Sequence, residues 1–237
     1  STLHVFRDLL RRKQADRFDR RLREALVGLG AARDWDVFEA AFGTPAMRRH
    51  SHRYAEAARR RARATSRSSQ FRYLAEEVLA WARGGPWRDG ATAREALFEF
   101  AQRALDRKRE RLVESAEGVD WCDASRRHRV RIRVKRLRYG CECFAAPWSD
   151  EAMQPLLARL RHLQGILGEL NDIDVQRQLL QDLAHAAATA AQVGVAMRTL
   201  ARREQRLLAG LRRAWPAFVA VEPYWRGPKA AIARVAV

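Results

Sequence analysis

The chain has 237 residues, 47% of them hydrophobic, which is enough apolar side chain for one large domain or two small ones. Its 46 basic and 28 acidic residues leave a net charge of +18, shared evenly, since residues 1–118 and 119–237 each carry +9. A basic tail on a neutral body is therefore excluded, and a polyanionic partner is implied. Cys122, Cys141 and Cys143 form no disulfide framework and suit a reducing cytosol. No apolar run reaches the ~18–20 residues of a membrane span, and no signal peptide is visible.

Apolar periodicity and Gly/Pro punctuation predict an all-α chain. Helices are expected near 1–13, 15–29, 33–42, 46–82 with a break at 65–69, 91–117, 121–145, 150–168, 171–192 and 195–214. The tail 218–226, with Pro223, Tyr224 and Trp225, is expected to pack on the bundle. Trp35, Trp81, Trp121 and Trp215 lie in or beside amphipathic helices and read as packing residues rather than base-stacking platforms.

The pattern L-G-x-x-x-D-x-D-V occurs twice, at 29–37 and 167–175, an offset of 138 residues. Residues 1–37 align without a gap onto 139–175, pairing Phe6 with Phe144 and Arg21, Leu22 and Arg23 with Arg159, Leu160 and Arg161. The chain thus reads as two copies of one unit joined near Gly118: residues 1–118, then 119–237 with the tail. Four helices per copy would bury their apolar stripes as an antiparallel bundle. The counterpart of the basic segment 128–138 falls before Ser1, so the first copy is expected to lack its first basic helix here, with a His/Arg helix immediately upstream in the gene. Gly30 and Gly168 read as the left-handed residues that end a helix, and Asp34 and Asp172 as carboxylates at the start of the next.

The segment 126–142 carries the chemistry. At about 100° per residue, Val130, Val134, Leu137 and Cys141 form a narrow apolar stripe. His128, Arg131, Lys135 and Arg138 form a band beside it, about 15 Å long at 1.5 Å per residue. Arg129, Arg133 and Arg136 take the other flank, and Arg127 borders the first band. Like charges at i, i+3 and i+4 repel, a strain that an extended phosphate polymer relieves, because guanidinium groups take phosphate oxygens in pairs.

Other constellations carry less. Asp34/Asp36 and Asp172/Asp174 suit either D-x-D magnesium ligation beside phosphate or capping and ion pairing with nearby arginines; the second is the reading taken, and no metal or cofactor is expected. His50 and His52 point to nearly opposite sides of a helix, and His4, His162 and His185 stand alone. Cys141 reads as core. No phosphate-binding glycine loop or nucleophile–base order stands out, so no enzymatic activity is expected.

The pattern H-x-x-R-I-x-x-K-x-L-R-Y, at His128, Arg131, Ile132, Lys135, Leu137, Arg138 and Tyr139, precedes Leu160, Leu163, Gln164, Leu167, Gly168, Asp172, Asp174 and Val175. The first copy keeps only the second part, at Leu26, Leu29, Gly30, Arg33, Asp34, Asp36 and Val37. Together these resemble the CHAD domain, the conserved-histidine α-helical domain, over essentially the whole chain. The resemblance implies two four-helix bundles related by pseudo-twofold symmetry, with a basic central groove or pore that binds inorganic polyphosphate. It carries His128, Arg131, Lys135 and Arg138 over directly. Arg161 sits where the family often has a basic residue on the next helix, Arg23 is its repeat partner, and Arg127 is added from the helical wheel. The expected role is a non-catalytic polyphosphate-binding or granule-targeting module in the cytoplasm or on polyphosphate granules, with a triphosphate-tunnel (CYTH) enzyme as a candidate partner. The alternative is a nucleic-acid-binding protein, for which nucleic acid is a general polyanion.

Overall fold

The computed structural model describes residues 5–6, 10, 12–84, 97–184 and 190–227, and among these every regular element is helical. In chain order they are α1 (Arg12–Phe42), α2 (Pro45–Arg67), α3 (Ser69–Gly84), α4 (Leu97–Ala116), α5 (Ala124–Cys143), α6 (Asp150–Ala184), α7 (Ala190–Val219) and a 3-10 turn (Tyr224–Arg226). Much of the helix expected near 1–13, the start of that near 91–117, the end of that near 171–192, and His4 and His185 lie outside the described residues. The helices group into two compact units drawn from non-contiguous stretches. One holds α4, α5, α6 to Asn171 and α7 from Glu204; the other holds α1, α2, α3, α6 from Asp172 and α7 to Arg203.

In the α1–α3 unit, α1 is a 31-residue spine. Arg59 of α2 donates to Asp36 and Glu39 of α1, while Arg17 and Arg21 of α1 reach Glu77 of α3. The partner numbers rise along α2 and α3 as they fall along α1, so both helices run antiparallel to it, end to end. The break between them falls at Ser68, inside the expected 65–69. Ser68 accepts from Phe71 N at 3.1 Å and so caps α3. Thr44 and Pro45 start α2 in the same manner, Thr44 accepting from Met47 N. Trp35, Phe38 and Tyr54 pack together, as do Phe18 and Trp81.

In the α4–α5 unit, Gly118 turns the chain after α4 at φ +59°, a left-handed backbone that glycine adopts without strain. The helices approach closely at Gly140, where a Cβ would stand 3.1 Å from the Leu105 side chain and 3.3 Å from that of Lys108. The tail packs here as expected. Trp225 is fully buried and donates Nε1–H to Asp106 at 2.9 Å, Arg226 donates to the same carboxylate at 2.8 Å, and Gln102 donates to the Trp225 carbonyl.

The expected helix ends at the two motif glycines are overturned. Gly30 and Gly168 do not end helices: α1 runs through the first and α6 through the second, and neither has a positive φ. The core explains it. Leu160, Leu163, Leu167, Leu170 and Ile173 are buried at unbroken helical spacing on both sides of Gly168. That apolar face outweighs the ~1 kcal/mol a mid-helix glycine costs. Asp34 and Asp172 are accordingly mid-helix residues, not N-caps.

Candidate functional site

Helix α5 is set by Asp123, which accepts the Arg126 N–H at 3.0 Å; the same bond holds its carboxyl below the usual aspartate range. Val130, Val134, Leu137 and Cys141 are fully buried, as their stripe predicts. Burial pushes the Cys141 thiol up to about 12, so it is an inert packing group.

The basic band lies beside that stripe. His128 is exposed, and Arg131, Lys135 and Arg138 are half-buried. Arg138 is oriented on three sides: Nε donates to Gln164 Oε1 at 2.7 Å, a terminal nitrogen to Glu142 at 2.5 Å, and the guanidinium lies 4.4 Å from the Tyr139 ring centroid. His128 Nδ1 lies 3.0 Å from Asn171 Oδ1. With Nδ1–H donated there, the ring offers Nε2 outward, and Nε2 donates once the imidazole is protonated. Arg131 and Lys135 make no ion pair with an acid among the described residues, and Arg131 Nε is buried without an acceptor.

The neighbouring face of α6 completes the geometry. Gln164, Gly168 and Asn171 are spaced i, i+4, i+7 and share that face. Gln164 meets Arg138 and Asn171 meets His128, so Gly168 stands opposite the middle of the band, where Arg131 and Lys135 lie. A Cβ at Gly168 would meet nothing within 4 Å. The result is a stretch of helix without side chain facing two cations without acidic partners. Asn171 was not among the residues singled out from the sequence, although it lies seven positions from Gln164 and so on the same helix face.

The remaining candidates fall elsewhere. Arg127 is 3% exposed, with its guanidinium directed to the Trp121 and Cys122 carbonyls at 2.8 and 3.0 Å and to Glu204 at 3.4 Å. It ties the start of α5 to its surroundings and does not lie on the exposed face. Arg161 is exposed on α6, three residues before Gln164, with Gln154 at 3.5 Å. Arg23 is exposed on α1, in the other compact unit, and pairs with Asp19.

The duplicated aspartates make ion pairs. Asp36 holds Arg59 at 2.8 Å, Asp174 holds Arg177 at 3.9 Å, and Asp172 lies 3.8 Å from Arg33. Asp34 is pushed above the ordinary aspartate range, chiefly by burial and further by Asp172, while Arg33 opposes the rise. No group of three or more potential metal ligands occurs among the described residues. His162 is exposed, and His52 lies in a cleft with Glu39, Arg48 and Arg49. All three cysteines are free. No helix among the described residues is long and apolar enough to cross a membrane.

The model of the CHAD-domain family matches residues 1–181. Among solved structures, the crystal structure of the CHAD domain from the plant Ricinus communis is similar with a TM-score of 0.77 at 26% identity, covering 93% of this chain and 77% of that one. No curated protein matches the sequence.

Proposed function

The chain belongs to the CHAD-domain family, and on that premise we propose that it binds inorganic polyphosphate along the basic face of α5, as a binding module and not a catalyst. The observation that carries this reading is the pairing of Arg131 and Lys135, without acidic partners, with the open stretch of α6 at Gly168. Arg138 and His128, held by Gln164 and Asn171, flank that pair and present donors at fixed positions. A linear polymer with charge on every unit fits a row of donors about 15 Å long; a compact anion would use one end of it. Arg161 extends the row on α6.

The arrangement proposed for the repeats is a pseudo-twofold one. It draws support from repeat-equivalent residues that meet each other. Phe6 and Phe144 pack with ring centroids 5.5 Å apart, and Asp34 feels the charge of Asp172. Such self-pairing is what residues near a dyad do. Delivery of polyphosphate to a triphosphate-tunnel enzyme, or anchoring on cytoplasmic polyphosphate granules, is the role this binding would serve.

The test is competition binding with labelled long-chain polyphosphate against unlabelled DNA and RNA at matched phosphate and ~150 mM salt, where exposed charges are well screened. Polyphosphate is expected to win. Arg131→Gln and Lys135→Gln should each weaken it by roughly 10-fold or more, the worth of a charge-assisted hydrogen bond. Equal competition by nucleic acids, or unchanged affinity in both variants, would sink the proposal.

A further inference from the structure

Helix α2 carries eight arginines and a single glutamate. Its buried residues, Met47, Ser51, Ala55 and Ala58, define one face. On the wheel, Arg49, His52, Arg53, Arg60, Arg63 and Arg67 lie on the opposite face, all exposed, in a line about 27 Å long at 1.5 Å per residue. Like charges at this spacing repel. The fold relieves them only in part: Glu56, on the same face, attracts His52 and Arg63 but hydrogen-bonds to Arg59. The nearby carboxylates, Asp36, Glu39 and Glu56, all pair with Arg59, which like Arg48 and Arg61 lies outside this line. Arg49, Arg60, Arg63 and Arg67 make no ion pair with an acid among the described residues.

A second feature sits at one end of the line. Arg48, Arg49, His52 and Glu39 surround an open cleft of about 650 Å³. Gly43 makes room for it. A Cβ there would lie 2.8 Å from Arg48 Nε and 2.3 Å from the Glu39 carbonyl, so the missing side chain lets the Arg48 guanidinium fold against the backbone. Glu39 is itself paired with Arg59, which it shares with Asp36 and Glu56.

We propose that the outer face of α2 is a second track for a linear phosphate polymer, with the Arg48–Arg49–His52 cleft as its end seat. The choice of polymer rests on the reading of the α5 face; the surface itself does not. Nucleic acid fits less well, because the one aromatic residue of α2, Tyr54, has its ring stacked on Trp35 and covered by Arg53, leaving no face for a base. An anionic bilayer fits less well too, since the apolar side of α2 is in the core and none is left to insert.

The experiment uses the full chain and long-chain inorganic polyphosphate. It compares Arg49→Gln/Arg60→Gln/Arg63→Gln with a charge-matched control on exposed positions of α7, Arg206→Gln/Arg212→Gln/Arg213→Gln. Each phosphate neutralised contributes about 0.7 to the slope of log affinity against log salt on a single-stranded polymer, so the α2 triple variant should lose about 2 units of slope. The control should lose little, and circular dichroism should show both folded. Equal loss in the two triples would mean a diffuse field, and no loss in the α2 triple would mean no track; either overturns the proposal. So would loss of duplex DNA binding with polyphosphate binding intact. Repeating the series on Arg131→Gln/Lys135→Gln separates the two surfaces. If only the α5 substitutions matter the α2 track falls, and if only the α2 substitutions matter the α5 reading falls.

Discussion

Asp34 and its repeat partner Asp172 are two carboxylates brought together by the fold, with Arg33 as the cation beside both. Half-burial and the second carboxylate make the charged form of Asp34 unfavourable, and Arg33 repairs only part of this. A carboxyl raised in the folded state holds its proton more tightly there than in the unfolded chain. Stability contributed by that proton is therefore present at low pH and falls as pH rises from the ordinary aspartate value through the raised one. Asp34→Asn removes the charge while keeping shape, so it should melt higher than the parent at neutral pH. The advantage should shrink to nothing below about pH 3.9, where an unperturbed aspartate is itself protonated. Thermal melts of both proteins across pH decide it; a pH-independent difference would show that Asp34 titrates normally. At this same scale the wheel misplaced Arg127. Its angle lies between the apolar stripe and the basic band, and periodicity alone cannot say to which an intermediate position belongs. The Trp121 and Cys122 carbonyls, left without helical partners ahead of α5, draw it inward.

At the scale of elements, glycines of one sequence appearance have opposite meanings. Gly140 is buried at the α4–α5 crossing, where the Leu105 and Lys108 side chains would crowd a Cβ at 3.1 and 3.3 Å. Gly168 lies in an equally regular helix with open space at its missing side chain. Gly168→Ala should gain the helix propensity of alanine, about 1 kcal/mol, which is about 2–4 °C in Tm for a chain of this size. Gly140→Val should lower Tm, because fully buried Leu105 has no room to yield. If Gly168 melts lower as alanine, the space is not open. The same contrast explains what sequence could convey. Apolar spacing made α5 and its buried stripe legible, and the serines near 68 made the α2–α3 break legible. Gly with Asp four residues later, however, is also how a helix end and a new cap look, and nothing within those five residues distinguishes the two. Only the uninterrupted leucine spacing from Leu160 to Ile173 did, and it argues for one continuous helix. Gly168's place opposite Arg131 and Lys135 was out of reach, since it depends on which face of α6 meets α5.

For the whole molecule the governing quantity is the net charge of +18. Both halves share it, and the acids present are concentrated in local pairs such as those on Arg59 and Arg226. The α2 and α5 faces are left with cations that repel their neighbours. A compact state of high net charge is destabilised by its own field, and mobile ions screen that field within about 10 Å at 0.1 M salt. Raising the concentration of a simple salt such as sodium chloride should therefore raise Tm. A phosphate polymer should do so far more effectively per charge, because it binds the folded face as one ligand and adds RT ln(1 + [L]/Kd) to the stability. Salt should then weaken the polymer's effect while strengthening the unliganded protein. The two melting curves, with and without polyphosphate, should converge as salt increases, since counterion release drives the binding. Differential scanning fluorimetry over a salt series tests this directly. A Tm indifferent to salt would mean the cations are already compensated within the fold. A polyphosphate shift that survives high salt would mean that apolar or neutral contacts, not the arginine rows, hold the polymer.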